Sequence, residues 1–199
     1  MRATQLLVVL LALAAGPAPA RGDGGGAPPE GAPAAPPGGS GEEVRARARA
    51  LLGGIERPAP AEAFRELGPD GEAALEDIAL SSSELPVWRA RALGALAGVG
   101  SARAEPAHRT LAADGAAPRV VRRAAVRGLG RLVGRSDAPR ELRPYLAGDR
   151  DPAVRAAAAE ALASVAPRAS CGAIRAQALR EDPRARAGFR RALAACERR

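Results

Sequence analysis

The chain has 199 residues, 47% of them hydrophobic but only 2% aromatic, and a formal net charge of +8. That length suits one domain with accessory segments. Alanine dominates the apolar fraction, which excludes a single thick core: it buries little area but lets backbones approach closely. All 30 basic residues are arginine, with no lysine or asparagine, as GC-rich coding produces, so the charge alone does not separate an anionic partner from compositional bias.

Arg2, an apolar run over residues 6–15 and Ala18-Pro19-Ala20 predict a secretory signal peptide over residues 1–20. The run is too short for an ordinary transmembrane helix, and no such segment is expected after cleavage. No twin arginine is present, and no cysteine near the cleavage point offers a lipid anchor. The expected destination is therefore exported, periplasmic or secreted, and nucleic acid is not an expected partner. Residues 21–41 are rich in Gly, Pro and Ala, a composition that cannot bury enough surface to offset ordering entropy. They read as a disordered linker.

Helical periodicity begins at residue 42. Val44, Ala48, Leu51, Leu52 and Ile55 make one apolar stripe, loosened at its end by Gly53-Gly54. A second short helix over 61–67 is expected to stop at Gly68-Pro69-Asp70-Gly71, a turn by residue chemistry. Residues 42–68 are then an N-terminal helical cap, and 69–199 carry about four helix pairs. The predicted pairs are 72–80 with 86–97, 102–113 with 118–133, 138–147 with 152–165, and 171–180 with 183–197. Each second helix opens with a proline (Pro86, Pro118, Pro152, Pro183), which suits a helix start and stops the helix before it. Pro144 falls within the first helix of its pair, where a kink is expected. Nowhere do β-branched or aromatic residues alternate as in a strand.

The pairs repeat. Trp88, Ala92, Ala95 and Leu96 recur 33 residues on as Val121, Ala125, Gly128 and Leu129, then again after 33 as Val154, Ala158, Ala161 and Leu162. A fourth copy, Ala185, Phe189, Ala192 and Leu193, follows, and an arginine holds the second place each time: Arg89, Arg122, Arg155 and Arg186. One pair cannot cover its own stripe, so the pairs must stack as an all-α solenoid of antiparallel helix pairs. Asp151-Pro152-x-x-Arg155 and Asp182-Pro183-x-x-Arg186, followed by Ala161-Leu162 and Ala192-Leu193, carry a family likeness. So does Gly68-Pro69-Asp70-Gly71-Glu72 before a helix. Over residues 61–193 the chain resembles the HEAT-repeat family, in the shorter form first described in phycobilisome lyases. The resemblance implies first helices on the convex side and second helices on the concave side. It also implies a ladder in which Asp151, Asp182 and the four repeat arginines bond along the stack. The first two copies depart from the pattern, since no Asp stands four residues before Arg89 or Arg122.

No catalytic, cofactor-binding or metal-binding set is expected. His108 is the only histidine and is expected to be an exposed surface residue; a triad or metal site would need companions for it. Glu42-Glu43 suits a helix start rather than a reaction. Trp88, Phe189 and Phe64 are expected in the core, and Tyr145 with its hydroxyl wet. Cys171 and Cys196 face one another if the last two helices fold back near residues 182–183, and in an exported chain they invite a disulfide; two buried thiols are the alternative. Six arginines and no acid lie between 119 and 135, and Arg119, Arg123, Arg127 and Arg131 recur every four residues. This stripe reads either as a grip on carboxylates or phosphates in a groove, or as a solvated face of an arginine-rich chain.

The expected function is a non-enzymatic binding or scaffolding module with a protein partner, an acidic one among the candidates. The alternatives are a HEAT-like lyase or lyase-chaperone subunit, which rests on analogy of fold alone, and a structural subunit of an envelope assembly.

Overall fold

A computed structural model describes residues 40–54 and 58–198. The expected signal peptide, nearly all of the expected linker, and Ile55 lie outside the described residues. Gly38–Arg199 forms one compact unit. Its helices are α1 (Gly41–Leu52), α2 (Ala61–Arg65), α3 (Gly68–Leu80), α4 (Pro86–Val99), α5 (Ala104–Ala113) and α6 (Arg119–Leu132). There follow α7 (Gly134–Gly148), α8 (Pro152–Val165), α9 (Pro167–Arg180), α10 (Pro183–Arg186) and, after a 3₁₀ turn at Ala187–Phe189, α11 (Arg190–Glu197). The described residues contain no strand.

Local chemistry accounts for most helix starts. Ser40 caps α1: its hydroxyl accepts from the Glu43 N–H, and the Glu43 carboxylate accepts from the Ser40 N–H. Asp151 and Asp182 cap α8 and α10 in the same sense, and Pro152 and Pro183 occupy the first helical position. Pro118 instead sits just before α6, as its cap residue.

The expected turn at Gly68-Pro69-Asp70-Gly71 is a helix. These residues form the first turn of α3, so α2 is shorter and α3 longer than expected. Gly68, at φ +65°, makes the corner in a conformation that few residues other than glycine adopt; Pro69 then presets the helical φ, and Asp70 favours the positive end of the helix dipole. Gly134, at φ +75°, likewise separates α6 from α7, which begins before its expected start and runs through Pro139 and Pro144. α9 also begins earlier than expected, with Pro167 in its first turn. The last second helix is broken where one continuous helix was expected. The 3₁₀ turn changes the pitch around Gly188, which lies so close to α8 that a methyl there would stand 3.0 Å from the Ala156 Cβ, and it brings Phe189 into the core.

The seam of the array is the repeated stripe. Leu96, Leu129 and Leu162 are 0%, 1% and 2% exposed, and Val121 and Val154 are fully buried. α3, α5, α7 and α9 each pack on the second helix of their own pair. The second helices also pack closely on one another, α4 on α6, α6 on α8, and α8 on α11, while first helices meet their counterparts only sparsely. The row of second helices therefore forms the inner side of the stack. Small residues permit that approach: a methyl on Gly130 would lie 2.9 Å from the Ala161 Cβ and 3.0 Å from Leu142.

Candidate interaction face

The four repeat arginines share one job. Arg89 donates through Nε to the Ala79 carbonyl at 2.9 Å, and Arg122 through Nη2 to the Ala112 carbonyl at 3.4 Å. Arg155 donates to the Asp149 carbonyl at 2.7 Å, and Arg186 to the Ala178 and Glu181 carbonyls at 3.0 and 3.2 Å. Each thus closes the exposed carbonyl end of the first helix in its own pair.

The carboxylates of the ladder differ from those expected. Arg122 forms a two-point pair with Asp149, and Arg155 another with Glu181, each carboxylate belonging to the following pair. Asp151 and Asp182 instead bond the first N–H groups of their own helices, at 2.8 Å to Ala153 and 2.9 Å to Arg184 and Ala185. A carboxylate at the cap is drawn onto its own helix, so the acid one or two positions earlier meets the preceding repeat. Asp151 does also reach across pairs, but to Arg119, at 2.7 Å. Arg122 is thus linked despite lacking the upstream Asp. Arg155 holds the buried Glu181 carboxyl below its usual range, helped by the Gln177 amide at 2.9 Å.

The arginine stripe on α6 is divided. Arg119 pairs with Asp151, and Arg127 with Glu160 on α8 at 2.6 and 3.0 Å. Arg131 is exposed, and Arg123 is half-buried, its Nε shielded from solvent with no hydrogen-bond partner. The charge that looked uncompensated along one helix is half offset by the next pair.

His108 is fully buried, not exposed. Its Nδ1–H donates to the Ala104 carbonyl at 2.6 Å, and its ring fills the space left by Gly128 on α6, where a methyl would fall 2.1 Å from Nε2. Nε2 has no partner. Burial pushes the imidazole pKa below its ordinary value, and the Arg131 charge adds to that, against the opposing Ala104 hydrogen bond. The ring packs as a neutral core group. Among the described residues, no cluster of three or more His, Cys, Asp or Glu side chains is placed to hold a metal.

Cys171 on α9 and Cys196 on α11 are joined as a disulfide, with Cα atoms 5.7 Å apart. Phe64 and Phe189 are buried, and Trp88 and Tyr145 half-buried against the core.

Charge is unevenly shared between the two sides. The first helices α3, α5, α7 and α9 hold seven arginines and seven carboxylates. Their acids are met locally, by Arg103 to Glu76 at 2.7 Å and by Arg109 to Glu141. The second helices α4, α6, α8 and α10 to α11 hold twelve arginines against two carboxylates, Glu160 and Glu197. Among the described residues, no helix is long and apolar enough to cross a membrane.

Stacked helix pairs with a small-residue seam, an arginine closing each pair and one face left open define a tandem α-helical repeat protein, a class whose offering is an extended surface. The particular family is shown by comparison. The profile described as HEAT repeats matches residues 72–163 and 110–194, and the chain belongs to that family. No curated protein and no solved structure matches it.

Proposed function

We propose that the chain is an exported, non-enzymatic HEAT-repeat module that binds or scaffolds a partner protein through its row of second helices. The observation that carries this is the open inner face itself: four second helices in continuous register, cationic where the opposite side is charge-balanced. The leader-like residues 1–20 and the Cys171–Cys196 bond support export, since structural disulfides persist in oxidising compartments. The proposed organisation keeps 1–20 as signal peptide, 21–41 as linker, 42–68 as cap and 69–199 as the array. Likeness to the phycobilisome-lyase form is proposed on the two Asp-Pro-x-x-Arg segments.

Site-specific photocrosslinking in the source cell tests the binding reading. A crosslinker at Ser164 on α8 should capture a discrete protein species, while one at Arg175 on α9 should not. Capture from Arg175 alone would overturn it. N-terminal sequencing of the mature chain should begin at Arg21; an intact leader on all of the folded protein would refute export.

A further inference from the structure

We infer that the row of second helices is a docking groove for an extended acidic segment of a partner protein, held by Arg123, Arg131 and Arg191. This rests on the binding-module reading above and names the chemistry of the partner. Arg127 and Arg131 on α6 recur in register as Glu160 and Ser164 on α8, 33 residues on, and as Arg191 and Ala195 on α11. Between α8 and α11 the face opens into a cavity of about 750 Å³, lined by Glu160, Ser164, Arg191 and Ala195 among others.

Of the guanidinium groups along this face, Arg119 and Arg127 are already committed to carboxylates of the next pair. Arg123, Arg131 and Arg191 have no carboxylate within ion-pair distance among the described residues. Arg123 is half-buried: its Nε is shielded and bonds to nothing, and its accessible Nη donors carry the charge to the face. A carboxylate on that face meets those donors in charge-assisted bonds.

The geometry favours an extended peptide over other polyanions. Packed helices lie roughly 8–10 Å apart and an extended chain advances about 3.3 Å per residue, so acids about six residues apart span from Arg131 on α6 past α8 to Arg191 on α11. The groove contains a carboxylate of its own, Glu160, which opposes a continuous run of phosphates. It offers no aromatic platform for bases: Phe64 and Phe189 are buried, Trp88 is packed against the core, and Tyr145 lies on α7, a first helix. A flat bilayer cannot follow a surface on the inner side of the stack.

The test uses the mature chain and a labelled twelve-residue peptide with glutamate at every third position, read by fluorescence anisotropy. Wild type should bind it, more weakly as salt rises, and should not bind the glutamine version. Arg123→Gln, Arg131→Gln and Arg191→Gln together should weaken binding at least tenfold. Arg143→Gln, Arg168→Gln and Arg175→Gln, the same charge change on exposed first-helix positions, should weaken it less than twofold. Circular dichroism should show both triple variants folded. Glu160→Gln should tighten binding two- to threefold, a gain that misfolding cannot produce. Absence of peptide binding, equal losses in the two triples, or weaker binding by the Glu160 variant would each overturn the inference. So would tighter binding of a single-stranded oligonucleotide of equal length, or of phosphatidylglycerol vesicles. A crosslinked partner that still binds the Arg123/Arg131/Arg191 variant would sink this inference and leave the module reading standing.

Discussion

His108 shows how much one side chain depends on a partner it cannot choose. Its imidazole is in the core because Gly128, on another helix, has no side chain there. Gly128→Ala should therefore overpack that site and destabilise the fold by about 2 kcal/mol or more, read as a fall in the denaturation midpoint. Protonation has a definite sign. The folded-state pKa is lowered, so the unfolded chain takes up the proton first. The His108 contribution to stability is complete above about pH 6.5 and declines as pH falls from there toward the folded value. Denaturation midpoints measured from pH 7.5 to 5.5 should show that slope, and His108→Leu should flatten it. The sequence could not reveal this burial: a lone histidine beside an arginine looks like surface, and the cavity for it is built twenty residues away.

Among the helices, what could be read in advance was whatever repeats. Leu96, Leu129 and Leu162 fall in the seam because one spacing recurs, and the last hairpin brings Cys171 to Cys196 because two helices fold back on a short turn. What stayed hidden was chemistry shared by two structures. Gly-Pro-Asp-Gly suits a turn and a helix start equally, and only packing chose the start of α3. The ladder acids were hidden for a different reason: Arg122 and Asp149 are 27 residues apart, and the more conspicuous Asp151 is occupied at its own helix. Removing Glu181 should show what such a link contributes. Glu181→Gln should cost about 2 kcal/mol by equilibrium unfolding, since it leaves a partly buried Arg155 without its counter-charge. The carboxyl has a lowered folded-state pKa, so its contribution is present above about pH 4.5 and is lost as pH falls through the folded value.

At the scale of the whole array, the uneven sharing of charge is the feature that arginine-rich composition alone does not produce. A uniform bias would spread cations over both sides, yet the first helices balance, while the second helices keep an excess of arginine even after loop acids Asp151, Asp149 and Glu181 take up Arg119, Arg122 and Arg155. The stack also has a direction. Arg122 and Arg155 each reach forward to an acid of the next pair, whereas Arg89, and Arg186 in the last described pair, bond only backbone carbonyls. Within that last described pair a covalent bond joins α9 to α11. Cys196→Ser should lower stability by about 3 kcal/mol, measured by denaturant unfolding. Hydrogen exchange should quicken first over α9 to α11, with α6 and α8 protected. The hairpin of α9 and α11 is thus stitched: cut the stitch, as a reducing compartment would, and this hairpin loosens ahead of α6 and α8, which makes the redox state of its surroundings a condition for keeping that part of its shape.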